Sequence, residues 1–84
     1  MLFSDIPFAR LRTLLLNLGF IERVIDGQSL GFYHAESDTV FMFRLYGPQD
    51  RVSMMDLAGV RFQLDWRGLL SREAFDAALR KASA

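Results

Sequence analysis

The 84-residue chain carries ten basic and ten acidic residues and no cysteine, which excludes disulfides and thiolate metal sites. Its length allows a single domain over residues 1–84, with one packed core over about residues 7–80. A formal net charge of zero argues against strong non-specific binding to nucleic acid or to an anionic membrane, because both need a surplus of basic residues.

The first part of the chain predicts an amphipathic helix from Pro7 to about Leu18. Ser4 or Asp5 is placed to cap this helix, and Pro7 suits its first turn, where a missing N–H group costs nothing. Apolar residues recur at helical spacing along one stripe. These residues are Phe8, Leu11, Leu14, Leu15 and Leu18.

The middle of the chain predicts a three-stranded antiparallel sheet with one solvated face. Gly19 is expected to end the first helix in a left-handed conformation, and Phe20 to fold back on the last turn. Asp26-Gly27 and the polar segment 35–39 supply the two turns between the strands. The strands are expected over residues 20–25, 30–34 and 40–46.

Alternation of side chains assigns two faces to the second and third strands. The residues expected on the core side of the third strand are Phe41, Phe43 and Leu45. Those expected on its opposite, mixed face are Val40, Met42, Arg44 and Tyr46. In the second strand, His34 is expected to share a face with Phe32, while Tyr33 lies on the other face.

The segment after the third strand predicts a break and then a second helix. Residues 47–50 contain Gly and Pro and end the sheet, after which Val52 either extends a sheet edge or anchors the connection. Ser53 and Asp56 have the spacing of a capping box, with Asp in place of the usual Glu. The helix is expected to run to about Trp66.

The end of the chain predicts a third helix after a stop at Gly68. Ser71 is its expected cap, and the residues expected to point inward are Ala74, Phe75, Ala78 and Leu79. The element order is therefore α-β-β-β-α-α. This order indicates an α+β sandwich of two layers, in which the helices pack on one face of a three-stranded sheet.

His34, the only histidine, is the candidate for acid–base chemistry. It lies at a strand end beside an acidic turn, where a carboxylate of Glu36 or Asp38 would tune a general acid or base. The alternative is a structural histidine with one ring nitrogen bonded to the turn, and we favour this interpretation. No metal site is expected, since turns recruit Asp for backbone bonding.

Two surface hypotheses follow from the remaining residues. Arg23, Tyr33 and Arg44 are neighbours on the outer sheet face, where guanidinium groups and a ring suit phosphates and stacked bases. Alternatively, Arg44 pairs with Glu22 or protects a sheet edge. The apolar share of 51% instead favours a protein interface. The residues expected there are Met42, Tyr46, Met54, Met55 and Trp66.

The chain resembles the HicA-type toxin family over residues 8–46. The resemblance rests on the sequence 14–20, LLLNLGF, then Gly27-Gln28-Ser29, a strand that ends in Phe32-Tyr33-His34, an acidic turn and another apolar strand. It implies a fold like that of double-stranded-RNA-binding domains. It also implies a small bacterial mRNA endoribonuclease that an antitoxin protein silences.

Two features depart from that family. Its catalytic histidine follows Gly-Ser at the start of the second strand, whereas this chain has Gly27-Gln28-Ser29-Leu30 there. His34 corresponds to a later histidine that precedes the hairpin turn. The basic character of the family is also missing. Both departures imply a relative of the fold without ribonuclease activity.

These features favour a small cytoplasmic interaction domain that resembles HicA toxins, is not catalytic, and binds a protein partner or itself. The expected partners are an antitoxin-like protein or a second copy, with RNA as a third candidate and neither membrane nor cofactor. The alternative function is an RNA-binding, HicA-like mRNA interferase toxin with His34 as base. Protein binding ranks first, because zero net charge removes the electrostatic attraction to RNA.

Overall fold

The computed structural model describes residues 6–81 and follows the predicted element order. Its elements are helix α1 (Phe8–Asn17), strands β1 (Ile21–Ile25), β2 (Ser29–His34) and β3 (Thr39–Arg44), and helices α2 (Met54–Trp66) and α3 (Arg72–Lys81). The strands form one antiparallel sheet in the order β1-β2-β3. The predicted α+β class and the three-stranded antiparallel sheet are confirmed.

The core lies between the sheet and the three helices. Phe8 is its centre: the ring makes edge-to-face contacts with Phe32 and Phe43, at centroid distances of 6.1 Å and 5.8 Å. Besides Phe8, the buried apolar residues of the helices are Leu11 and Leu15 in α1, Leu57, Val60 and Leu64 in α2, and Phe75 and Leu79 in α3. Those of α1 and α3 belong to the predicted stripes. All three helices therefore cover the same face of the sheet.

Helix α1 ends in the glycine-dependent cap that the sequence predicts. Gly19 has a φ of +98°, and its N–H donates to the Leu16 carbonyl at 3.0 Å. The Phe20 N–H donates to the Leu15 carbonyl at 3.0 Å, which completes a Schellman motif. Phe20 thereby turns into the core, so β1 begins one residue later than expected, at Ile21.

The start of α1 is capped by backbone atoms from a distant loop. Pro7 is the N-cap residue and makes no side-chain cap bond. Instead, the Phe8 N–H donates to the Asp50 carbonyl at 2.8 Å, and the Ala9 N–H donates to the Pro48 carbonyl at 2.9 Å. These bonds satisfy donors that a helix start leaves without intrahelical partners.

The connection after β3 is tied to the segment before α1. The Val52 N–H donates to the Ile6 carbonyl at 2.9 Å, and the Val52 side chain is buried. Val52 therefore anchors the connection and does not extend the three-stranded sheet. Ser4 and Asp5, which were expected to cap α1, lie outside the described residues.

Strand β3 ends two residues earlier than predicted, and this changes the faces of Leu45 and Tyr46. The Tyr46 N–H donates to the Arg44 carbonyl at 2.8 Å, a three-residue turn that breaks the strand alternation. Leu45 is consequently 45% exposed and Tyr46 only 7% exposed. The predicted placements of Leu45 in the core and of Tyr46 on the outer face are wrong.

Helices α2 and α3 begin at their predicted caps and are joined by an ion pair. The Ser53 and Ser71 hydroxyl oxygens each accept a backbone N–H bond at 3.1 Å. Arg61 donates to both carboxylate oxygens of Asp76, at 2.9 Å and 3.1 Å. This hydrogen bonding raises the pKa of the Arg61 guanidinium against the opposing effect of partial burial. Ala74, predicted to point inward, is exposed because it lies beside the stripe that packs on the core.

Candidate protein-interaction surface

The face of the sheet away from the helices forms the first candidate surface, which we call the outer sheet face. The strand register arranges nine residues there in three rows. The rows are Ile21–Tyr33–Val40, Arg23–Gly31–Met42 and Ile25–Ser29–Arg44. Five of these positions carry large apolar or aromatic side chains that remain solvent-exposed: Ile21, Ile25, Tyr33, Val40 and Met42.

Gly31 lies at the centre of the outer sheet face, and its missing side chain shapes that face. A Cβ atom at this position would come within 2.8 Å of Ile25 Cδ1 and 3.5 Å of Met42 Sδ. The Ile25 side chain therefore lies across the glycine. The middle of the face is consequently apolar, with the Gly31 backbone buried beneath the Ile25 side chain.

The charges on the outer sheet face are all positive. Arg23 and Arg44 are both exposed, and none of the nine positions carries a carboxylate. Glu22 points to the helix side of the sheet, where it accepts a 2.8 Å bond from Arg12. The predicted alternative in which Arg44 pairs with Glu22 is wrong, because the two side chains leave the sheet on opposite faces.

Arg44 is held at the sheet edge by an aromatic ring. Its Cζ atom lies 4.3 Å from the centroid of the Tyr46 ring, a cation–π distance. Arg23 on β1 and Tyr33 on β2 lie in adjacent rows on neighbouring strands. Arg44 lies on β3, two strands away from Arg23 and two rows away from Tyr33. The three residues predicted for RNA binding thus share one face, but Arg44 is directed towards Tyr46.

A groove between β3 and α2 adjoins the outer sheet face and shares Met42 with it. We call it the β3–α2 groove, and it is lined by Phe41, Met42, Phe43, Met55, Asp56, Gly59, Val60, Phe62 and Gln63. Met55 is 85% exposed. Beyond it, the rings of Phe62 and Trp66 stack at a centroid distance of 6.1 Å. The groove thus extends the apolar surface from the sheet onto α2.

Of the five residues predicted for a protein interface, the structure places Met42 and Met55 in the groove and Trp66 against its Phe62 wall. Met54 is exposed but does not line the groove. Tyr46 is buried and contributes no open surface. Phe62 was missed, although Met55, Phe62 and Trp66 have helical spacing along a second apolar stripe of α2, opposite to the buried stripe.

His34 lies on the helix side of the sheet and is buried. Its Nδ1 atom is 2.8 Å from the Ser37 hydroxyl oxygen, and its ring lies 5.0 Å from that of Phe20. The Ser37 hydroxyl in turn lies 2.7 Å from the Thr39 hydroxyl. This geometry corresponds to a histidine bonded to its turn, and the bonded partner is a hydroxyl group in place of the carboxylate considered above.

Three acidic turn residues, Asp26, Asp38 and Asp50, have local roles in their turns. Asp26 and Asp38 adopt positive φ angles of 54° and 51°, and the Asp50 carboxylate accepts the Gly47 N–H at 2.7 Å. Within residues 6–81, no cluster of three or more histidine, aspartate or glutamate side chains could hold a metal ion. In the same range, no helix has the length and apolar character needed to cross a membrane.

In comparisons with known proteins, no family model, no curated protein and no solved structure matches the chain. The grounds for inferring a function are therefore the outer sheet face, the β3–α2 groove and the charges that they carry.

Proposed function

We propose that this chain is a small cytoplasmic protein-interaction domain without catalytic activity, which binds a protein partner or a second copy of itself. The observation that carries the proposal is the apolar outer sheet face, which no element of residues 6–81 covers. The β3–α2 groove continues this surface. The cytoplasmic location belongs to the same proposal and derives from the sequence.

The apolar character of the outer sheet face supports binding to protein. An exposed, contiguous apolar patch is unusual on a monomeric soluble protein and commonly marks an interaction site. Aliphatic and thioether side chains such as Ile21, Val40 and Met42 gain free energy by leaving water against other apolar side chains. Tyr33 adds an aromatic anchor of the kind that is enriched at interfaces.

The charges of the face indicate what a partner would carry. Arg23 and Arg44 lie at the ends of two of the three rows, on opposite edge strands. None of the nine positions carries a carboxylate, so a partner with apolar groups and carboxylates is complementary. A second copy placed face to face would oppose like charges. Binding between copies is therefore expected at an edge of the sheet.

The experiment that tests the proposal is affinity capture with a matched pair of variants. Tyr33→Lys places a charge in the outer sheet face, whereas Leu16→Lys places one on the exposed side of α1, away from that face. When each is used as the bait, we expect the wild type and Leu16→Lys to capture the same partner protein. We expect Tyr33→Lys not to capture that partner. Equal retention by both variants would contradict binding through the outer sheet face.

The second candidate function is RNA binding, as in a HicA-like mRNA interferase toxin from a toxin–antitoxin pair. The cationic, carboxylate-free face with Arg23 and Tyr33 supports it, as does the α-β-β-β order of residues 8–44, the part of the chain that resembles the HicA family. Three observations rank it second. The face has one aromatic ring for stacking, Arg44 is directed towards Tyr46, and His34 is buried against Phe20 and Ser37.

RNA binding has its own test. A structured RNA titrated at low salt should bind with an affinity that falls as salt rises, and Arg23→Gln should reduce that salt dependence. Cleavage of the same RNA by the wild type but not by a folded His34→Gln variant would establish the endoribonuclease alternative. Absence of RNA binding at low salt would remove this candidate.

A further inference from the structure

We propose that two copies of this chain pair antiparallel along strand β3, so that their sheets join into one continuous six-stranded sheet. The inference rests on the proposed function, because it names the partner at the β3 edge of the same surface. It is carried by the open edge, by the groove beside it and by the distribution of charge along β3.

Strand β3 is an edge strand without the features that block edge pairing. Among residues 6–81, the order β1-β2-β3 leaves one side of β3 without a neighbouring strand. The β3 sequence, TVFMFR, contains no proline and no lysine, which are residues that commonly protect an edge. Within residues 6–81, the one backbone bond that β3 makes outside the sheet joins the Arg44 carbonyl to Tyr46.

The β3–α2 groove provides room and apolar contacts beside that edge. In a second copy, the β3 side chains on the helix side, Phe41 and Phe43, stay buried in its own core. The groove residues Met55 and Phe62 therefore face α2 of that copy across the two-fold axis. The other side chains of its β3 lie on the outer sheet face next to Val40 and Met42. The β3 strand of the second copy therefore extends the apolar outer sheet face and gains backbone hydrogen bonds, which is the mode of recognition by strand addition.

The charges at the two ends of β3 identify a second copy as the partner and antiparallel as the orientation. Glu36 and Asp38 lie in the turn that precedes β3, and Arg44 is its last residue. In an antiparallel pair, Arg44 of each copy lies beside the acidic turn of the other. The two-fold axis repeats this contact, and opposite charges across strands are stabilising. Parallel pairing would bring the two Arg44 side chains together.

The other edge of the sheet is less suited to self-pairing. A two-fold axis through the middle of β1 would place Arg23 opposite its own copy, since Arg23 is the central residue of Ile21–Ile25. Like charges directly opposite each other destabilise a strand pair. The inference is therefore specific to β3, and β1 supplies a matched control.

The first test measures molar mass by light scattering over a wide range of protein concentration. Val40 and Ile21 belong to the same row and are 55% and 57% exposed, but lie on opposite edge strands. We expect a dimer for the wild type and for Ile21→Lys, and at least tenfold weaker dimerisation for Val40→Lys. Circular dichroism checks that each variant is folded.

A charge exchange provides the second test. Arg44→Glu and Glu36→Lys should each weaken self-association, because each variant opposes like charges at both contacts. A mixture of the two variants should form dimers, since both contacts are then complementary. Glu36 is preferred to Asp38 here because Asp38 has a φ of +51°, which lysine tolerates poorly. Rescue by mixing also shows that both variants are folded.

A wild type that is monomeric at all concentrations would overturn the inference, as would equal weakening by Ile21→Lys and Val40→Lys. Failure to rescue dimers by mixing folded variants would also overturn it. A monomer that still captures a protein dependent on Tyr33 would reject self-pairing while leaving the interaction domain in place. A monomeric wild type that captures no partner protein would reject both self-pairing along β3 and the proposed interaction domain.

Discussion

The hydroxyl group of Tyr46 donates a 2.6 Å hydrogen bond to the carboxylate of Asp56 and so links the end of β3 to the first turn of α2. The same oxygen accepts the Ser53 N–H at 3.1 Å. In a usual capping box, a Glu side chain reaches the N-cap N–H directly. Asp is one methylene shorter, and the Tyr46 hydroxyl bridges the difference.

Removal of this hydroxyl should therefore cost more than one ordinary hydrogen bond. We expect Tyr46→Phe to lower the free energy of unfolding by about 1–3 kcal/mol, because it leaves a backbone donor and a carboxylate without their partner. Urea denaturation measures the change. Tyr33→Phe is the control, since Tyr33 is exposed on the outer sheet face, and it should change stability little. Equal midpoints for Tyr46→Phe and wild type would contradict the bridging role.

Two glycines provide a matched pair of predictions with opposite signs. Gly19→Ala should destabilise the protein by about 1–2 kcal/mol, because Gly19 has a φ of +98° that disfavours a side chain. Gly59 lies inside α2, and a Cβ atom there meets nothing within 4 Å. Gly59→Ala should therefore stabilise by up to about 1 kcal/mol. Thermal denaturation of both variants checks the two signs.

Local sequence signals predicted most of this fold. The helical stripe of α1, the Gly19 cap and the turn at Asp26-Gly27 each depend on residues within a few positions, so the pattern alone identified them. In the turn, both residues have the positive φ that a type I′ reversal requires, 54° and 66°. The strand faces up to Arg44 followed from simple alternation.

Contacts distant in sequence explain what the pattern missed. Tyr46 continues the outer face by alternation, but its bonds to Asp56 and to the Ser53 backbone draw it inward. The capping of α1 by the Asp50 carbonyl likewise has no local signature. At the candidate surface, alternation placed Tyr33 and Met42 correctly, whereas Phe62 required recognition of a second apolar stripe on α2.

The ion pair between α2 and α3 should matter more than the exposed one beside it. Asp76→Ala leaves the Arg61 guanidinium half-buried without its two bonds of 2.9 Å and 3.1 Å, so we expect the Tm to fall by several degrees. Asp65→Ala is the control, because Asp65 and Arg72 pair at 3.2 Å on the surface. Surface pairs of this kind contribute little. Equal effects of the two substitutions would contradict this assignment.

The last prediction concerns His34, whose burial supports a structural role. His34→Ala removes the bond to Ser37 and the ring that lies 5.0 Å from Phe20. We expect it to lower the free energy of unfolding by about 1–3 kcal/mol. Ser37→Ala keeps the ring packing and removes the hydroxyl partner, so its cost should be smaller.

Binding and RNA-cleavage measurements on His34→Ala distinguish a structural role of His34 from a catalytic one. Well below the Tm, His34→Ala should capture the same protein as the wild type, because the imidazole lies on the helix side of the sheet and not on the outer sheet face. An unchanged free energy of unfolding together with a lost RNA cleavage activity would contradict the structural role. That result would instead identify His34 as a catalytic base.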